Sequence, residues 1–400
     1  MEPEDYDRLL ADLRPRPTSE VVGLEAALGR RTAHEVRAPQ SVPRVPTSAM
    51  DGFALDAAAL AAARSGGEVS VVGDIAAGRP YVVLEQGTAV RVMTGAHVPS
   101  GAEAVVPVEF TDAQPAGGVP STIRIADLPA DLPSGWNIRR VGEDVGAGTV
   151  VLAPGDLITD AGTGLLAMLG IAAVDVTRPL HVGLIVTGDE LGAPDAVVAD
   201  ASAQSPAALI LNSNLPMLEA AIASAGASAH TRVCGDDPEA FLQVLEELSA
   251  DTDLVITTGG ISQGAYEVVR SALEGAHSTF GRVAMRPGGP QGHGRYRGTP
   301  LLHFPGTPAA AHVSFHLFAR TLLGAGPLAN RWRKAVAAGD DLSGHPRGVS
   351  LRPGVFTPNG EVEAMPRSRL HDFARADAII RVPRAPAAFR PGDVVDILPC

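Results

Sequence analysis

The chain has 400 residues, with Asp+Glu 45 against Lys+Arg 32, a formal net charge of -13, and 45% hydrophobic residues. Domains usually run to roughly 100 to 200 residues, so two to four units with their own apolar cores are expected. A chain this acidic, with no basic tract, lacks the electrostatic footprint of a nucleic-acid binder, which excludes nucleic acid as a partner.

The start, Met1-Glu2-Pro3-Glu4-Asp5, has no basic and apolar leader, and the most apolar later stretch, Ala161 to Val174, is short and broken by glycine. No membrane span is expected. Cys234 and Cys400 are the only cysteines and stand outside any Cys-x-x-Cys spacing, so neither a disulfide framework nor a Cys-rich zinc site is indicated. A reducing, cytoplasmic location fits.

The first forty residues read as helix, since Val21, Leu24 and Leu28 recur at helical spacing before Pro39, Pro43 and Pro46. From Thr47 to about Asp144, short Val-rich pieces such as Val69–Val72 and Ala104–Val106 alternate with Gly and Pro turns, the texture of a small β-rich domain. A helix over Thr159 to Gly170 then suggests that the chain returns to its N-terminal part, making that domain discontinuous.

From Leu180 to about Gly326, strand, glycine-rich turn and helix repeat, which argues for a mostly parallel sheet covered by helices. His181–Val186 leads into Thr187-Gly188-Asp189-Glu190, and Asp253–Thr257 into Thr258-Gly259-Gly260-Ile261-Ser262. One helix is expected over Ala207 to Gly226, and another opens at Asp236-Asp237-Pro238, a capping carboxylate followed by proline at the first helical position. In the last seventy residues, Asn359-Gly360 signals a type I′ hairpin, and Ala378–Val382 and Val394–Leu398 read as further strands of a C-terminal β domain.

Ligands of open parallel sheets bind beyond the carboxyl ends of the strands, where glycine lets backbone N–H groups approach an anion. Two glycine loops stand there, and the first also brings Asp189 and Glu190. Asp236, Asp237 and Glu267 could join them around a divalent cation, since Mg²⁺ takes carboxylate oxygens together with phosphates. Each acid alone reads more simply as a cap or a solvated charge; the set at successive strand ends points to a phosphate and metal site. Pro305-Gly306-Thr307-Pro308 is a further anion-cradling turn, and the Arg139-Arg140 pair, followed by Glu143 and Asp144, is either a solvated face or a phosphate clamp. His312 and His316 have metal-like i, i+4 spacing, but Val313 stands where a zincin needs Glu. That segment reads as a helix packed through Phe315 and Leu317.

Several strings are more specific together. Pro46 to Ala54 contains Ser-Ala-Met-Asp-Gly, Arg91 to Val106 contains Met-Thr-Gly-Ala, and Asn137 to Asp144, Thr187 to Leu191 and Thr258 to Ser262 follow in order. Jointly they resemble the molybdopterin molybdenumtransferases, the MoeA and gephyrin E-domain family, from about Leu24 onward. The resemblance implies a multidomain α/β plus β architecture. Its parts would be a discontinuous helical domain over 1–45 and 146–178, an inserted β-rich domain over 46–145, a MogA-like three-layer α/β domain over 179–327 and a C-terminal β-barrel over 328–400.

The resemblance also implies a homodimer that takes adenylylated molybdopterin, inserts molybdate and releases AMP in a Mg²⁺-dependent step, between an upstream adenylyltransferase and downstream molybdoenzymes. Asp51, Thr94, Arg139, Asp144 and Glu190 match the catalytic positions. Glu190, Asp236, Asp237 and Glu267 match the metal positions, and Gly188, Gly259, Gly260, Ser262, Arg286, Pro305 and Pro308 the substrate-binding ones. In the family, one chain's α/β domain and its partner's β domain share a site, so Asp51 and Glu190 are expected to meet across the dimer.

The sequence departs from the family at its oxyanion positions. Arg286-Pro287-Gly288-Gly289-Pro290 replaces the usual Lys-Pro-Gly-Lys-Pro and drops a cation. Thr307 and Ala310 stand for the usual Asn and Ser, Glu267 for Asp, and Arg367-Ser368-Arg369-Leu370-His371 for a Gly-Ser-His signature, the two arginines offering charge in return. Two readings follow: a molybdenum insertase, or a paralogue that binds the pterin nucleotide or a partner as scaffold or carrier. A generic nucleotide-binding α/β enzyme is disfavoured by the ordered β-domain motifs.

Overall fold

The computed structural model describes residues 1–78, 83–115, 117–126, 128–129, 131–192, 210–262, 264 and 267–400. Contacts divide the chain into two units, Thr18–Arg178 and the combination of Met1–Pro17 with Pro179–Cys400.

In the latter unit, His181–Thr187 (β1), Ser228–Cys234 (β2), Leu254–Thr258 (β3), Ser278–Arg282 (β4), Pro290–Tyr296 (β5) and Thr299–Phe304 (β6) form one sheet in the order β2-β1-β3-β6-β5-β4. The β2-β1, β1-β3 and β3-β6 pairs are parallel, and the β6-β5 and β5-β4 pairs antiparallel. The apolar runs are continuous because helices cover both faces. Val182, Leu184 and Val186 enter a core shared with Asn214–Ser224 (α1), whereas Ile185 enters one shared with Pro238–Asp251 (α2) and Val268–Leu273 (α3). A fourth helix, Pro308–Ser314 (α4), packs on the α1 side through Ala311 and Val313. These are the three layers of an α/β domain.

α2 begins as its sequence dictates, with Pro238 at its first turn and the Asp237 carboxylate accepting from the Glu239 N–H at 3.2 Å. α1 starts later than expected. Residues 207–209 lie outside the described residues, and Ile210–Leu211 is a short strand parallel to Leu191–Gly192.

The helical reading of the first forty residues needs correction. Pro3–Leu9 is a helix and Leu10–Leu13 a 3-10 turn, but Tyr6, Leu10 and Leu13 belong to the α/β core. Ser19–Gly23 is a strand antiparallel to Ala173–Thr177, and Val21 is 71% exposed. Helical spacing misled here because Pro15 and Pro17 end the first helix, while the β-branched Val21-Val22 pair finds a strand partner far along the chain. Leu24–Ala27 adds one helical turn, and Thr159 caps Asp160–Met168 by accepting from the Gly162 N–H at 3.1 Å. Ala27, Ile158, Leu166, Val174 and Val176 share one small core, so the chain does return to its N-terminal part.

Between these segments, Ala104–Pro107, Gly52–Leu55, Thr88–Val92, Val69–Ile75 and Thr122–Ile123 form a five-stranded sheet in that order. Near the C-terminus, Val349–Phe356, Val362–Ala364, Arg333–Ala338, Val394–Pro399 and Ala378–Val382 pair in succession, and the last pairs back to the first, closing a barrel. Its first hairpin is not type I′. Positive φ occurs at Gly360 but not at Asn359, and the Gly360 N–H closes a turn on the Thr357 carbonyl at 2.9 Å. Pro358, which fixes φ near -65°, suits the second position of an ordinary type I turn instead. Among the described residues, no helix is long and apolar enough to cross a membrane.

Candidate functional site

The ends of β1 and β3, with the start of α1, the loop before α2 and the turn before α4, enclose a cleft of about 670 Å³. Thr187, Gly188, Glu190, Asp236, Gly259, Gly260, Ser262, Glu267, Pro305 and Pro308 all line it, so most substrate and metal positions read from the sequence come together. Gly259 has φ 98°, and a Cβ there would stand 2.7 Å from the Thr187 hydroxyl. Only glycine lets the β3 loop pass this close to β1.

The carboxylates face one another. Glu267 accepts from the Ser262 N–H at 2.6 Å and from the Ser262 hydroxyl, which fixes it beneath the glycine loop. Burial pushes the Asp236 carboxyl above the usual carboxylate range; the Asp189 N–H draws it back, and the charges of Asp189, Glu190 and Glu267 add to the rise. Acids that repel one another in a cleft form a donor set that a hard cation would relieve, and oxygen-only ligation suits Mg²⁺. Asp237 does not line the cleft; its carboxylate caps α2. Asp189 is turned to the next loop, where it accepts from the Asp236 N–H at 3.2 Å.

Asn214 escaped the sequence reading. It is 7% exposed and lines the cleft, donating to Thr258 Oγ1 at 3.1 Å and to the Gly306 carbonyl at 2.7 Å. Its Oδ1 has no partner among the described residues. The expected helix from Ala207 absorbed Asn212-Ser213-Asn214; a polar trio ahead of an apolar helix was the available signal.

Asp51, Thr94, Arg139 and Asp144 belong to the unit Thr18–Arg178. Asp51 accepts from the Thr94 N–H at 2.6 Å and the Thr94 hydroxyl at 2.8 Å, and these bonds hold its carboxyl below the usual range. Thr47–Ser48 pairs with Ile138–Arg139, so the Ser-Ala-Met-Asp-Gly and Asn-Ile-Arg-Arg strings are neighbours. Arg139 is ion-paired to Asp144 and stands 3.5 Å from Glu143.

Residues 3–170 match the model of the MoeA N-terminal region (domain I and II), and residues 183–325 that of a probable molybdopterin binding domain. Molybdopterin molybdenumtransferase 2 of Mycobacterium tuberculosis is 40% identical over 370 residues, covering 90% of this chain and 85% of that protein. The chain belongs to the MoeA family. The molybdopterin molybdenumtransferase of Bacillus subtilis is 31% identical over 412 residues, covering 98% of this chain and 92% of that protein. At the level of fold, the molybdopterin biosynthesis MoeA protein of Pyrococcus horikosii superposes with a TM-score of 0.84 at 24% identity, over 100% of this chain and 98% of that one.

The structure also shows what surrounds the positions where this MoeA-family chain departs from the family pattern. Arg286, His345, Arg352, Arg367 and Arg369 line a cavity of about 430 Å³, and Arg286 approaches His345 Nε2 at 3.0 Å. A neighbouring cavity of about 900 Å³ adds Arg282 and Arg347, and Gly288 lines both it and the acidic cleft. Arg282 Nη2 stands 3.3 Å from where a Cβ on Gly289 would be. A guanidinium from β4 therefore occupies the neighbourhood of the missing lysine.

Proposed function

We propose that this chain inserts molybdate into adenylylated molybdopterin, releasing AMP in a Mg²⁺-dependent step. The observation that carries the reading is the continuity, through Gly288, of a carboxylate cleft with arginine-lined cavities. A phosphoanhydride and an oxyanion need such neighbours: acids to hold a cation against the phosphates, and guanidinium groups to hold molybdate.

In this reading Glu190, Asp236 and Glu267 hold Mg²⁺, which when bound offsets phosphate charge and polarises the anhydride. The Gly259-Gly260 loop presents backbone N–H groups to the nucleotide, and Asn214 Oδ1 accepts from an N–H of the ligand. Arg282, Arg286, Arg367 and Arg369 supply the charge for molybdate. The binding-only alternative is disfavoured because Arg282 restores a cation near Gly289. The proposal further includes a homodimer working in the cytoplasm, where the free thiols of Cys234 and Cys400 are stable.

The test supplies purified protein with adenylylated molybdopterin, Mg²⁺ and molybdate, and measures both AMP and active molybdenum cofactor. Both should appear together and cease on Mg²⁺ chelation. AMP without cofactor would refute metal insertion, and absence of nucleotide binding would remove the reading altogether.

A further inference from the structure

Away from the cleft, three metal-ligating side chains converge. His312 lies on α4 and His316 on its π-helical continuation Phe315–Ala319, while Cys400 follows the barrel strand Val394–Pro399. One ligand atom from each falls within 4.8 Å of the others. The two imidazole centroids are 4.4 Å apart. His312 Nε2 and His316 Nδ1 are buried with no hydrogen-bond partner among the described residues, and His316 is 8% exposed. A buried polar nitrogen left unmatched is destabilising, and two such atoms on imidazoles that converge with a thiol call for a ligand.

We propose that His312, His316 and Cys400 bind a zinc-class divalent cation at a site separate from the carboxylate cleft. Two imidazoles and a sulfur are the donors that Zn²⁺ takes and Mg²⁺ does not. Donors around a tetrahedral zinc stand roughly 3.3–3.7 Å apart, so side-chain closure of the order of 1 Å completes the set. The backbone at Cys400 is already anchored, its N–H donating to the Asp377 carbonyl at 3.1 Å.

Three protein ligands leave a fourth position. A cavity of about 300 Å³ lined by Arg320, Arg331, Arg333, His316 and Cys400 adjoins it. Binding displaces the Cys400 thiol proton to solvent and forms the zinc–sulfur bond, leaving one net positive charge. Beside those arginines, the fourth ligand is therefore an anion or hydroxide. Val313, which rules out a zincin, is no obstacle, because a site that clamps the last barrel strand to α4 needs no general base.

The test uses the untagged full-length chain, titrated with Zn²⁺ against a chromophoric chelator and, separately, with Co²⁺. With excess Mg²⁺ present to occupy the carboxylate cleft, one equivalent of Zn²⁺ should bind per chain, and Co²⁺ should develop the near-ultraviolet thiolate charge-transfer band. Cys400→Ser should abolish the band and weaken Zn²⁺ binding by at least about tenfold, as should His316→Gln, while Cys234→Ser leaves both unchanged. Cys400 is exposed at the end of the described chain, so its variant remains informative if a histidine variant fails to fold. A band that survives Cys400→Ser, or Zn²⁺ bound with no thiolate band, would overturn the proposal.

Discussion

Asp51 and Asp236 both match functional positions that the family resemblance implies, yet their surroundings drive them in opposite directions. Thr94 donates twice to Asp51 and stabilises its charge, whereas burial and neighbouring acids work against the charge of Asp236. The first suits a permanently ionised acceptor, the second a ligand awaiting a cation. Asp51→Ala and Glu190→Ala should each abolish AMP release while leaving the thermal transition within a few degrees, since both side chains are exposed. Unchanged turnover in both would show the site to be elsewhere. For Asn214, the isosteric Asn214→Asp removes the two donated hydrogen bonds and adds charge beside the cleft; nucleotide affinity should fall by roughly 10–100-fold, about 1–3 kcal/mol, as read by calorimetry. Glu190 and Gly259 were legible because they follow apolar strands. Asn214 and Arg282 were not, because each acts on residues that only the fold brings near.

The central strand β6 shows how an element constrains pH behaviour. His303 is fully buried there, bonded to Thr257 Oγ1 at 2.9 Å and Ser278 Oγ at 2.8 Å, and burial pushes its pKa down to about 3, with His293 adding to the fall. The unfolded chain takes up a proton near the ordinary imidazole value of 6.5, while the folded chain does not until far lower. The stability associated with neutral His303 is therefore complete above that value and is lost as pH falls between the two, at up to about 1.4 kcal/mol per pH unit. Denaturant unfolding at successive pH values from neutral to 4.5 should show this slope, and His303→Gln should reduce it, the rest coming from other buried imidazoles such as His316; an unaltered slope would remove His303 as a source. At this scale the strands of the α/β unit and barrel were legible from apolar runs bounded by glycine. The strand Ser19–Gly23 and the turn at Pro358 were misread because a distant partner and a proline outweighed the local pattern.

Over the whole molecule, a net charge of -13 opposes the binding of a nucleotide and an oxyanion. Screening confines that opposition, since the Debye length is about 8 Å at physiological salt, and a few guanidinium groups can reverse the sign locally. In the proposed function Arg282 is the guanidinium that replaces the missing lysine, because it stands 3.3 Å from the position that a Gly289 Cβ would take. Arg282→Ala should weaken molybdate binding by about tenfold, and more steeply at low salt, as expected when one partly exposed charge is removed. Gly289→Lys alone should change little, because the guanidinium already fills the space. In the Arg282→Ala background the same lysine should recover most of the loss, since Gly289 has no positive φ and its other neighbours leave ordinary van der Waals room. Equilibrium dialysis with labelled molybdate reads all four proteins. If Arg282→Ala binds as the parent does, Arg286, Arg367 and Arg369 carry the oxyanion without it, and the compensation assigned to β4 is wrong.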